Sequence, residues 1–224
     1  MENQWRADLD DGLTALGIPF IVSQIDQVVE YIRLLSKWNK GMNMIARRDM
    51  SRIVSRHILD SCSAQSLIVG QRVLDLGTGG GLPGLPLAIL DPQRHYVLCD
   101  RMERRQRFLF TVINTLRLSN VSLLTVDWNN PMARQGEFDT IIARALAPLQ
   151  VLWPQVRDSL NPHGRLVVFS STQLVEETTT SNEARVHRTE QKADAEQDFA
   201  REGHLKVQIP GLIDVHTIEY MERH

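Results

Sequence analysis

The sequence predicts an α/β fold with a doubly wound, mostly parallel sheet, and three observations carry that prediction. From Arg72 onward, short apolar runs alternate with amphipathic segments of helix length. The first run, Arg72-Val73-Leu74-Asp75-Leu76, breaks into Gly77-Thr78-Gly79-Gly80-Gly81 and resumes as Leu82-Pro83-Gly84-Leu85-Pro86-Leu87. That order of strand, glycine turn and helix makes a first βα unit, whose ligand lies at the carboxyl end of the strand. The second apolar run, His95-Tyr96-Val97-Leu98-Cys99, closes on a carboxylate, Asp100.

Residues 1–70 read as helices. Leu9, Leu13 and Leu16 begin a short amphipathic one, closed by Gly17 and Pro19. Ser23 is the expected N-cap of the next, where Ile25, Val28, Val29, Ile32, Leu35 and Trp38 recur at helical spacing up to Gly41. A third helix is expected from Asp49 or Ser51, with Ile53, Val54, Ile58, Leu59 and Cys62 turned inward. No low-complexity linker follows, so a helical cap (1–70) is expected to pack on a main domain (71–224).

Beyond the glycine turn, the pattern predicts strands at about 72–76, 95–100, 121–126, 138–144 and 165–169. Helices are expected at about 83–90, 101–117 and 148–160, with Asn161-Pro162-His163-Gly164 as a turn before the fifth strand. The polar stretch 172–203 reads as a solvated helix. Leu205–Ile209 and His216–Met221, joined through Pro210-Gly211, read as a closing hairpin.

Composition bounds the function. The 224 residues carry a net charge of −2, which argues against a general polyanion binder. All but four of the 25 basic residues are arginine, the side chain suited to bidentate phosphate contacts. They cluster at Arg47, Arg48, Arg52 and Arg56, and again at Arg101, Arg104, Arg105 and Arg107, as solvated helix faces or as contacts for nucleic acid. Cys62 and Cys99 lie in apolar segments without metal spacing, the histidines are not paired, and no metal is expected. No run suits a membrane span and the N-terminus lacks the plan of a signal peptide, so a cytoplasmic protein is expected.

Two cofactors compete for the turn. Gly79-Gly80-Gly81-Leu82-Pro83-Gly84 fits the dinucleotide pattern G-x-G-x-x-G. The fuller string, Asp75-x-Gly77-x-Gly79-x-Gly81, places a carboxylate where it suits an ammonium and would crowd a pyrophosphate. S-adenosylmethionine (SAM) carries an ammonium and no phosphate, so SAM is preferred over NAD. Asp100 is placed to reach ribose hydroxyls, or to cap the helix that follows. Trp128 and Asn129 follow strand three, where an adenine would lie; Trp128 either covers the base or simply packs. Arg144 ends strand four, free to anchor cofactor or substrate, or paired with a helix carboxylate. His57 and Asp60 share a helix face and read as structural rather than as a general-base pair.

Lys37-Trp38-Asn39-Lys40, Asn43, Arg56-His57-Ile58-Leu59-Asp60-Ser61, the string from Asp75 to Pro86, and Arg144-Ala145 occur in an order that resembles the RsmG (GidB) family. The resemblance covers most of 23–170 and continues weakly through Val207–Leu212. It implies a Rossmann-like class I SAM-dependent methyltransferase with a mostly parallel seven-stranded sheet, its last strand antiparallel, and an N-terminal helical cap. It implies methyl transfer to N7 of a guanine in 16S ribosomal RNA of the small subunit, by a cytoplasmic monomer. By the same resemblance Gly77 and Leu82 contact SAM, Trp128 and Asn129 lie near its adenine, and Arg144 is the strand-four arginine. With Asp75, Gly79 and Asp100 from the turn itself these surround SAM, and the arginine clusters, through Arg47, Arg48, Arg104 and Arg105, are expected to engage the RNA. The chain departs from the family pattern at Asp127-Trp128-Asn129, where an Arg-Ala-Glu-like triplet is usual. It departs again at Ser170-Ser171-Thr172, where a lysine-glycine pair is usual. The rival readings are an RNA-binding relative without turnover and an NAD-linked oxidoreductase.

Overall fold

The computed structural model describes residues 1–125, 137–170 and 200–224, together with the backbone of 185–186. Its centre is a parallel sheet of β1 (Arg72–Leu76), β2 (His95–Cys99), β3 (Val121–Leu124), β4 (Phe138–Arg144) and β5 (Leu160–Phe169). Two long antiparallel strands follow, β7 (Ala200–Gln208) and β8 (Val215–Arg223), and a two-residue strand, β6 (Arg185–Val186), pairs with β7. The order across the sheet is β3-β2-β1-β4-β5-β8-β7-β6, with β8 antiparallel between β5 and β7. Because β1 has β2 on one side and β4 on the other, the chain reverses direction across the sheet at β1. A crevice opens at the carboxyl ends of strands at such a point.

Alternation along the strands separates two cores. Val73, Tyr96, Leu98, Ile142 and Val167 face one layer; Leu74, Leu76, Val97, Cys99, Ile141 and Leu166 face the other. The first layer holds α1 (Glu2–Ala15), α2 (Val22–Met42), α4 (Gly84–Leu90) and α5 (Glu103–Leu116). Leu9, Leu13, Val28 and Ile32 belong to the same apolar cluster as Leu85, Leu98 and Phe108, so the N-terminal helices and this face of the sheet are packed without a seam. Among the described residues α6 (Leu149–Val156) covers the other face through Leu149, Leu152, Trp153 and Val156. Every residue of α4 is buried, as expected of a helix wedged between a sheet and a second helical layer.

Four local expectations are corrected. Ser23 is not a cap: α2 begins at Val22, and Gln24 Oε1 accepts the Ile21 N–H at 2.9 Å. The third helix is not one α-helix. It runs as a 3₁₀ segment, Arg47–Arg52, then a π-helical segment, Val54–Leu59, then the single turn α3 (Asp60–Cys62). Its expected apolar residues, Ile53, Val54, Ile58, Leu59 and Cys62, are nevertheless all buried. Asn161–Gly164 is not a separate turn but an irregularity inside β5. Phe138 pairs with Leu160 and Thr140 with Arg165, so the extra residues loop out with His163 at φ 62°. Finally, Ala200–Gly203 belongs to β7 rather than to a helix, and Arg185–Val186 is strand; the rest of the expected 172–203 helix lies outside the described residues.

The join between β1 and α4 is held by one side chain. Asp75 Oδ2 accepts the Thr78 hydroxyl at 2.5 Å and the Gly84 N–H at 2.7 Å. A Cβ on Gly84 would sit 2.4 Å from Leu98 Cδ2 and 2.6 Å from Asp75 Oδ2, so no larger residue fits without moving the carboxylate. Gly84→Ala is therefore expected to destabilise the fold by about 1–3 kcal/mol in urea unfolding. A wild-type midpoint would show that the contact yields freely.

Candidate functional site

The glycine turn is formed where β1 ends. Gly77 N–H and Thr78 N–H both donate to Cys99 O, at 2.9 and 3.0 Å, which lays the turn along the end of β2. Gly77, Gly79 and Gly81 all have positive φ, and of residues 77–84 only Gly77 and Gly79 are not fully buried. Leu146 packs over Gly77, with Cδ1 only 3.1 Å from where a Cβ would be. It reaches there because Ala145, directly after Arg144, adopts φ 53° and turns the chain. Around Gly79 the space is open: beyond its chain neighbours, a Cβ there would meet nothing nearer than Gly77 O at 3.9 Å. From behind, the turn is held by the Tyr31 hydroxyl, which donates to Gly80 O at 2.7 Å.

Asp75 is completely buried. With Oδ2 committed to Thr78 and Gly84, Oδ1 is sealed from solvent and has no partner among the described residues. Burial pushes the carboxyl up to about 6, against the Thr78 hydroxyl, the Gly84 N–H and the Arg144 charge, which all act downward. The first task of Asp75 is thus to shape the turn. One acceptor atom remains beneath it without a donor among the described residues.

Asp100 stands 4% exposed beside Gly79. Its Oδ2 accepts Gly79 N–H at 3.0 Å and Arg105 Nη1 at 3.1 Å, and its Oδ1 accepts Met102 N–H at 2.8 Å. A carboxylate offers about four acceptor positions, so one is left over. Asp100 does not cap α5 itself; it closes the turn before it, since the N-cap is Met102. Arg105, expected to meet RNA, gives one N–H to Asp100 and leaves its side chain a third exposed. Leu82, expected to contact the cofactor, is 5% exposed with its side chain in the apolar core, and its N–H donates to Thr78 O at 3.0 Å. Trp128 and Asn129 lie outside the described residues.

Arg144 ends β4 with its side chain 16% exposed. Nη1 donates to Asp60 Oδ2 and Nη2 to His57 Nδ1, each at 3.3 Å, so the pairing with a helix carboxylate is the one observed. Asp60 Oδ1 lies 2.6 Å from His216 Nδ1 on β8. His216 was not legible in the sequence, because its partner is 156 residues away. His57 has its Nδ1 lone pair turned to Arg144, which assigns the proton to Nε2. That atom is 3.9 Å from Asp49 Oδ2. Burial and the Arg144 charge push His57 down to about 4, while the bond to Asp60 raises His216. Both His57 and Asp60 are therefore occupied internally. Neither is placed to act as a free base.

Arg47, Arg48 and Arg104 are exposed. Arg47 and Arg48 border a groove of about 1210 Å³ that also includes Trp5, Asp8, Lys40 and Met50.

Residues 24–204 match the model of the GidB family, rRNA small subunit methyltransferase G. The chain belongs to this family. Among GidB relatives, the ribosomal RNA small subunit methyltransferase G of Nitrosococcus oceani is 40% identical over 163 residues, 72% of this chain and 75% of that one. That of Yersinia enterocolitica is 43% identical over 142 residues, 63% and 68% of the two chains. The fold is also that of a SAM-dependent methyltransferase from Aquifex aeolicus, with a TM-score of 0.52 and 17% identity over 85% of this chain and 98% of the other. The range matched to GidB holds the glycine turn, Asp100 and Arg144, and begins inside α2, leaving α1 outside.

The pH signs separate the two histidines. His57, lowered, binds its proton less well folded than unfolded, so its contribution to stability grows as pH rises from about 4 to 6.5. His216, raised, contributes fully below 6.5 and loses that contribution as pH climbs through its folded value. In an NMR titration of the imidazole carbons, His57 is expected to stay neutral from pH 5 to 8 while His216 titrates above 6.5. The opposite order would contradict the assigned network.

Proposed function

We propose that this chain transfers a methyl group from SAM to N7 of a guanine in 16S ribosomal RNA, acting on the small ribosomal subunit as a cytoplasmic monomer. The observation that carries the reading is membership of the GidB family, joined to a glycine turn with a spare buried acceptor at Asp75 and a spare acceptor position at Asp100. The residues present fit this cofactor. Gly79 presents open backbone, Asp100 has room for a ribose hydroxyl, and Asp75 Oδ1 suits an ammonium where a pyrophosphate would be repelled. When bound, SAM supplies an electrophilic methyl group on its sulfonium.

Guanine N7 has an exposed lone pair and no proton, so the protein needs no general base. Its task is to hold N7 in line with the methyl group at about 3 Å and to exclude water. The internal engagement of His57 and Asp60 fits that economy. Arg144 has five N–H donors and spends one on Asp60 and one on His57. The others are proposed to anchor the base, a phosphate or the carboxylate of the cofactor. Trp128 and Asn129 are proposed to meet the adenine, and Arg47, Arg48 and Arg104 the phosphates. Where the family pattern carries lysine-glycine, Ser170 donates its hydroxyl to Glu219 Oε2 at 2.5 Å.

Radiolabelled methyl transfer to small subunits lacking N7 methylation, with the modified base mapped, tests the reading. Label on a guanine N7 of 16S RNA is expected. Binding of SAM with no transfer would instead favour the relative without turnover. Arg144→Ala is expected to lower kcat/KM by about 100-fold, with the fold retained because His216 still holds Asp60. Wild-type turnover would remove Arg144 from the machinery. Since phosphate contacts release counterions, RNA affinity should also fall steeply with added salt, and SAM affinity should not.

A further inference from the structure

The carboxyl-terminal end of α2 and the outer face of α5 enclose two adjoining hollows, of about 370 and 450 Å³, that share Trp38 and Arg107. Lys37 and Arg104 border the first; Phe110 and Thr125 border the second. On α5, Arg104, Arg107 and Phe110 recur every third residue and so lie along one side of the helix. Phe110 is 63% exposed, an unusual position for an aromatic ring that no part of the described chain covers. Trp38 is half-buried and is fixed from behind by Phe108, with ring centroids 5.7 Å apart.

Charge distinguishes this furrow from the larger groove beside Arg47. That groove has Asp8 in its wall, whereas the furrow is bordered by Lys37, Arg104 and Arg107 and, among the described residues, has no carboxylate in its lining. Among the described residues Lys37 and Arg104 make no ion pair. Arg107 reaches only the exposed Glu103, at 3.5 Å. Aromatic faces set between cations are the platform on which unpaired bases stack while phosphates are neutralised. A duplex keeps its base faces covered and could not use Phe110 or Trp38 in this way.

The furrow is also joined to the cofactor wall. Gln106, in its lining, donates to Asp100 O at 2.9 Å and to Leu124 O at 3.0 Å, and the neighbouring Arg105 holds the Asp100 carboxylate. We infer that this furrow binds an unpaired segment of the substrate RNA next to the target guanine, with bases stacked on Trp38 and Phe110 and phosphates on Lys37, Arg104 and Arg107. The inference rests on the proposed RNA methylation and adds a second contact surface to it, one that sets KM for the subunit.

The test uses the full chain with a short unpaired oligoribonucleotide and a duplex of the same sequence. Unpaired RNA is expected to quench tryptophan fluorescence, the quench is expected to vanish in Trp38→Phe, and the duplex is expected not to produce it. Phe110→Ala is expected to weaken RNA binding by about tenfold, the loss of one stacked base. It is also expected to raise KM for small subunits with little effect on kcat or on SAM affinity. Lys37→Gln should flatten the salt dependence of binding by about one counterion. Wild-type RNA affinity and KM in Phe110→Ala would overturn the inference. So would a self-association of the wild type that Phe110→Ala abolishes, since the patch would then be a contact between copies. Failure of the parent reading looks different: the wild type would transfer no methyl group to rRNA, and the furrow would be judged on the quench alone.

Discussion

A single buried carboxylate sets the shape of the site. Asp75 lies at the end of β1 with no exposure to water, and its Oδ2 ties together the strand, the turn through Thr78 and the helix through Gly84. An ionised carboxylate in such a place is tolerated only because hydrogen-bond donors and a nearby guanidinium offset the loss of hydration. With that tie in place, Gly79 is left as the open rim of the turn and Gly77 lies under Leu146, while Gly80, Gly81 and Leu82 are pressed into the helical layer. The second carboxylate, Asp100, then fixes the rim from the β2 side through Gly79. The turn is thus held by two buried acids, each with an acceptor unpaired among the described residues.

A second hub, Asp60, joins parts of the chain that are distant in sequence. It takes Arg144 from β4 with one oxygen and His216 from β8 with the other, while the same arginine reaches His57. The segment that supplies His57 and Asp60 departs from α-helical geometry, winding as 3₁₀ and then as π-helix. Irregular winding of this kind is common where a helix must aim particular side chains at a site. Here it lets Asp49 and His57 turn inward while Arg47 and Arg48 stay exposed. The guanidinium at the cleft is consequently held by an acid and a neutral imidazole, pre-oriented and with donors left over.

The parallel strands and the glycine turn were legible in the sequence because each signal was local. An apolar run of strand length followed by glycines leaves little choice, and β1 and β4 begin and end where the pattern put them. What escaped was non-local or degenerate. Turn-forming residues such as Asn161 and Gly164 suit a bulge within a strand as well as a turn between elements. Apolar spacing of three and four residues showed which side of 49–62 was buried, but not which hydrogen-bond register wound it. Among site residues, Asp75, Gly77, Gly79 and Asp100 came from the motif. Arg144 was seen without a decision on its partner. Arg105 was placed in an arginine cluster without sight of its bond to Asp100, and Tyr31 and His216 gave no signal because their partners come from elsewhere in the fold.

The central claim is that the rim between Asp75 and Asp100 is shaped for a nucleoside with a cationic amino-acid tail. A crystal soaked with SAM at saturating concentration tests it most directly. The account predicts the ribose hydroxyls against Asp100, the ammonium on the Asp75 side of Gly77, and Arg144 still bonded to Asp60. A rim that stays blocked or empty, or a ligand bound elsewhere, would contradict it and leave only the fold.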